Sequence, residues 1–169
     1  MTPLWGKLGL KTQRSVQVLD APPSFEAELA ALQATPGLQV ARGIGGRHGP
    51  TGLALAFVTT TAQRDAASRA MAEAAEGDAL LWLAYPKRTS KRYRCEFDRD
   101  SGWAVLGAAG YEPVRIVAID EDWSALRFRH VDHIGTMTRD PSRAQSAPGR
   151  QRALASAKAP PQRRGGAGG

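Results

Sequence analysis

The chain has 169 residues and a mass of 18.1 kDa, with 23 Lys and Arg against 16 Asp and Glu and a single cysteine. That length suits one domain, and one cysteine excludes an internal disulfide or a multi-cysteine metal site. Residues 1–136 hold 16 basic and 15 acidic side chains and residues 137–169 hold 7 and 1, so the pI of about 10.2 belongs to the tail and does not mark the body as a nucleic-acid binder.

The opening residues, Met1 to Lys7, lack the apolar stretch of about 7–15 residues that a secretory signal needs. The longest apolar run, Ala79 to Tyr85, is far below the roughly 20 residues that span a bilayer. A cytoplasmic protein is the expectation, with Cys95 structural or incidental. The tail, 137–169, has Met137 and Leu154 as its only large apolar side chains, so it is read as a disordered basic segment outside a single α/β domain at 1–136.

In chain order, Ser15 to Leu19 is a short β-branched strand stopped by Pro22-Pro23. Ser24 reads as the cap of a helix whose Phe25, Leu29 and Leu32 share one face, ending near Pro36-Gly37. Leu38 to Ala41 is a weak strand, followed by the Gly-rich stretch 42–50, read as a flexible connector because no Walker-type Lys-Ser/Thr ending and no helix follow it. Leu53 to Val58 is apolar throughout and suits a strand buried on both faces.

Thr61 is the expected N-cap of a helix over 62–75, which stops at Gly77-Asp78 before the strand Ala79 to Tyr85. A basic loop, 86–94, precedes a helix from about Asp100 to Ala109, closed by Gly110. Pro113 to Ile119 and Trp123 to His130 are strands joined by Asp120-Glu121-Asp122, a turn short enough only for an antiparallel hairpin.

Alternating strands and helices ending in a hairpin predict an open, mostly parallel Rossmann-like sheet with helices on both faces, strand 53–58 lying between strand one and strand 79–85. The order resembles the second half of a class I methyltransferase-like sheet. One departure stands at the first turn, where Leu19-Asp20-Ala21-Pro22-Pro23 replaces the glycine loop that lets backbone approach a cofactor.

Parallel strands would bring their C-terminal ends to one rim, where open α/β sheets bind ligands. That rim would collect Asp20, Thr59, Thr60, Lys87, Ser90, Lys91, Asp120 and Trp123. Carboxylates facing several cations suit a zwitterionic or phosphorylated polar group. No nucleophile elbow is present, and His130-Val131-Asp132-His133 lacks further ligands nearby, so neither a catalytic set nor a metal site is expected.

Four blocks carry a finer resemblance: Lys7-Leu8-Gly9-Leu10-Lys11, then Val16 to Pro22, then Leu81 to Lys87 with Ser90-Lys91, and finally Ile119-Asp120 with Trp123 to Arg127. Over residues 4–130 the chain resembles the bacterial domain-of-unknown-function family 3052. The resemblance implies a methyltransferase-like domain stripped of its cofactor loop, with no activity, cofactor or catalytic residue to carry over.

Three functional readings stand side by side. The first is a noncatalytic binding or regulatory domain with an anionic small molecule or a protein partner at the rim. The second is a divergent S-adenosylmethionine-dependent methyltransferase. The third is a nucleic-acid accessory protein acting weakly through its cationic tail.

Overall fold

Six strands share one sheet in the order β2-β1-β3-β4-β6-β5. The computed structural model describes residues 2–97 and 102–134, so the reading of 137–169 as a tail lies outside the described residues. The strands are β1 (Ser15–Leu19), β2 (Gln39–Ala41), β3 (Thr51–Phe57), β4 (Ala75–Pro86), β5 (Tyr111–Ala118) and β6 (Trp123–His130); the helices are α1 (Pro3–Lys7), α2 (Glu26–Gln33), α3 (Thr61–Ala74) and α4 (Ala104–Ala108).

β2, β1, β3 and β4 run parallel, and β6 lies antiparallel between β4 and β5. Strand β3 therefore sits between β1 and β4, as the unbroken apolar run from Leu53 to Phe57 suits. The hairpin forms as expected, with Ala118 opposite Ser124. β5 is not a neighbour of β4, but two antiparallel steps restore its direction. The C-terminal ends of β1, β3, β4 and β5 thus share one rim.

Alternation along the strands divides the core into two layers. On one face Val16, Leu55 and Trp82 pack under α1 and α2, where Phe25, Leu29 and Leu32 are all buried. On the other, Leu81, Leu83 and Phe128 pack with Met71 of α3 and Leu106 of α4. Burying each such side chain contributes about 1.5–3 kcal/mol. The Trp82 indole N–H donates to the Leu8 carbonyl at 2.9 Å, which satisfies the one polar atom of a ring in mid-sheet.

Several boundaries differ from expectation, each for a local reason. Ser24 is not an N-cap: the turn Pro23–Phe25 is 3-10, and α2 begins at Glu26. Thr60 rather than Thr61 caps α3, since its hydroxyl accepts from Gln63 N–H in a reciprocal capping box. Gly77 does not separate helix from strand. Its φ of +62° lies within β4, where the register against β3 slips between Thr51 and Leu53.

α4 covers Ala104–Ala108, shorter than the expected helix, and residues 98–101 are outside the described set. The Gly-rich stretch is tethered rather than free. Gln17, buried on β1, donates to the carbonyls of His48 and Gly49 and accepts from Gly45 N–H at 2.9 Å. A Cβ at Gly43 would stand 2.5 Å from the end of the His48 ring and displace it, and Gly45 has φ +70°, a conformation that glycine alone adopts without strain.

Candidate functional site

At the rim, β4 ends in Pro86 and the chain turns through the basic segment 87–97. Its start is set by the sheet: Lys87 N–H donates to the Asp122 carbonyl at 2.8 Å. Ser90 then ties the turn together, donating its hydroxyl to the Asp122 carboxylate at 2.9 Å and accepting from Tyr93 N–H at 3.1 Å. The far end is held at α3, where Glu96 N–H donates to the Thr59 carbonyl and the Glu96 carboxylate accepts from Thr61 N–H at 2.7 Å.

Beneath this segment opens a cleft of about 1140 Å³ over the ends of β4, β6 and β5. Its charged wall is made by Arg64, Lys87, Arg88, Arg94 and Glu96, and its apolar wall includes Tyr85, Phe97 and Ile116. Arg64 is engaged on both sides, with Asp65 at 2.9 Å and with its guanidinium carbon 5.0 Å from the centre of the Phe97 ring. Lys87, Arg88 and Arg94 have no carboxylate within 4 Å among the described residues.

Hydrogen bonds from the Thr61 backbone and hydroxyl hold the Glu96 carboxyl below the usual glutamate range. Glu96 is thus an anion seated on the first turn of α3, and Lys87, Arg88 and Arg94 line the same cleft from earlier in the same segment. That balance fits a negatively charged guest.

Of the eight rim residues expected from the sequence, the cleft gathers Lys87 and Ser90. Lys91 is exposed and does not line the cleft. Thr59 and Thr60 are committed to the α3 cap through Gln63. Asp120 accepts from the N–H groups of Asp122 and Trp123, which makes it the organiser of the hairpin turn. Asp20 is exposed at the end of β1 with φ +57°, the one positive φ outside glycine among the described residues.

Trp123 lies under the rim rather than on it. It is 3% exposed and belongs to an aromatic row, 5.1 Å from Phe57 and 4.9 Å from Tyr93 between ring centres, with Phe25 and Trp5 continuing the row. Arg64, Arg88, Arg94, Glu96, Phe97 and Ile116 were not singled out as site residues in the sequence. The basic run contained two of them, but nothing in its pattern says that the chain folds back onto α3.

The fold is that of the methyltransferase-like α/β class. No family model matches the chain, and no curated protein matches it. Among solved structures the chain is similar to the N-methyltransferase NodS from Bradyrhizobium japonicum WM9 in complex with S-adenosyl-L-homocysteine. The TM-score is 0.50 at 11% identity, over 76% of this chain and 84% of that one. It is also similar to PigF with SAH, at TM-score 0.49 and 9% identity over 72% of this chain. The chain spans about half of the PigF chain, 51%. At these identities the likeness is one of fold alone.

Methyltransferase folds imply S-adenosylmethionine, and the residues at the β1 and β2 ends do not fit it. Such a crevice needs glycine backbone after β1 and a carboxylate near the end of β2 for ribose hydroxyls. Here β1 runs into Asp20-Ala21-Pro22-Pro23, and Phe25 fills the turn with its ring 4.9 Å from Phe57. The end of β2 carries a cation, Arg42, held by Glu26 through two hydrogen bonds of 2.7 and 2.9 Å. The hydrogen bond to Arg42 draws Glu26 below its ordinary pKa.

Proposed function

We propose that this protein is a noncatalytic binding domain whose rim cleft takes an anionic group, carried by a small molecule or by a protein partner. The observation that supports it is the placement of Lys87, Arg88 and Arg94 around one cleft, with no carboxylate partner among the described residues, on a segment fixed at both ends by the sheet and by α3. The family resemblance, to a methyltransferase-like domain without its cofactor loop, agrees with this reading. Several cations converging beside an apolar wall recognise a phosphate or carboxylate attached to a less polar body.

A thermal-shift panel tests it. Inorganic pyrophosphate and a phosphosugar, each at about a hundred times its Kd, raise the melting temperature by several degrees, since binding at that ratio adds about 2.7 kcal/mol. S-adenosylmethionine in the same panel gives no shift. A shift with S-adenosylmethionine alone would replace this reading with the methyltransferase one.

A further inference from the structure

β5 forms one edge of the sheet, and among the described residues no strand pairs with its outer side. Its first half is protected in the usual ways: Pro113 offers no N–H, and a register slip between Pro113 and Arg115 makes a bulge. From Arg115 to Ala118 the ladder with β6 is regular, so the opposite side of that stretch is a straight run of backbone. Two large hydrophobic side chains on this strand, Val114 at 40% and Ile116 at 43%, are the most exposed of their kind among the described residues.

The two faces of this edge differ in chemistry. Arg115 lies directly opposite Arg127, an arrangement of like charges that destabilises a sheet. Arg127 is half-buried, and its Nε has no hydrogen-bond partner among the described residues. Burial, then Arg129 and Arg115, lower its pKa, while Asp78 acts in the other direction but is bound to Arg129 through two of its nitrogens. Ile116 projects to the other face, where it lines the cleft. Successive residues therefore offer a cation on one side and an aliphatic surface on the other.

We propose that the Arg115–Ala118 edge receives an extended segment of a partner protein in which acidic and aliphatic residues alternate, added to the sheet as a seventh strand. An acidic side chain opposite Arg115 relieves the Arg115–Arg127 repulsion, and an aliphatic one on the other face covers Ile116. A second copy of this chain suits the edge less well, because its own residues 114–118 carry no acidic side chain to set against Arg115 and Arg127. The backbone pairing at this edge needs no anion in the cleft, although the two share Ile116 as a wall.

The test uses the full chain, 15N-labelled, titrated with an acetylated, amidated hexapeptide of alternating Asp and Val. Two comparison peptides carry Lys in place of Asp, or N-methyl groups on alternate residues. Saturable shifts and slowed amide exchange at residues 114–118 are expected, with affinity lower by about tenfold or more for both comparison peptides. Arg115→Glu, an exposed position whose new carboxylate faces Arg127, should weaken the Asp peptide and bind the Lys peptide instead.

Absence of binding, or equal binding of the N-methylated peptide, overturns the proposal. Shifts confined to residues 87–97 also overturn it, while leaving anion binding in the cleft intact. A concentration-dependent dimer that protects 114–118 without peptide assigns the edge to a second copy and overturns it as well.

Discussion

The Glu96 carboxylate accepts two hydrogen bonds from Thr61, from its backbone N–H at 2.7 Å and from its hydroxyl at 3.0 Å. Residues 35 apart in sequence are thereby joined, and the basic segment is closed against the first turn of α3. The same two bonds, more than the nearby Arg64, lower the Glu96 pKa from its ordinary value of 4.5. A lowered carboxyl pKa contributes stability that is fully present above the unfolded value and is lost as pH falls through the folded one.

The carboxylate's part in closing 87–97 onto α3 should therefore be complete at neutral pH and weaken as pH falls from the ordinary glutamate value of 4.5 through the lower folded one, a change that Glu96→Gln removes. Carbon-detected titration of the Glu96 carboxyl, together with the Thr61 amide shift, checks this. A Glu96 midpoint at or above the ordinary glutamate value would show that the contact does not persist in solution.

Gln17 supplies the second prediction. Its amide ties the Gly-rich loop to β1, and Gln17→Leu leaves the Gly45 N–H and two carbonyls without their partner. Leaving such groups unpaired costs about 1–3 kcal/mol. Urea unfolding should show that loss, with faster amide exchange across residues 43–49. A variant as stable as the parent would mean that water replaces the side chain there.

Much of the fold was legible because its signals are local. The apolar run Leu53 to Val58 could only be a buried strand, and the three-residue turn Asp120-Glu121-Asp122 could only close a hairpin. Gln17 was not legible: a polar residue within Ser15 to Leu19 reads as a solvent-facing position, and only the return of the Gly-rich loop over β1 buries it. Trp123 was read as a rim residue because it follows the turn, yet the aromatic row from Phe25 through Phe57 draws it inward.

The site was half visible for the same reason. Strand ends identify a rim, which is why Lys87 and Ser90, two residues that line the cleft, could be named from the sequence. Arg64 and Glu96 join them only through the long-range contact with α3, and Ile116 only because β6 inserts between β4 and β5. Sequence spacing carries no trace of either event.

The measurement that bears most directly on the rim cleft is calorimetric titration of inorganic pyrophosphate into the full chain and into the double variant Lys87→Ala, Arg94→Ala. Both side chains lack ion-pair partners among the described residues, so their removal should cost at most about 1 kcal/mol of stability each. The parent should bind one pyrophosphate with an affinity that falls as salt rises, and the double variant should lose about tenfold or more while Lys91→Ala, which does not line the cleft, changes nothing. Equal affinity in the parent and the double variant would contradict anion binding in the cleft and leave the basic segment a solvated connector.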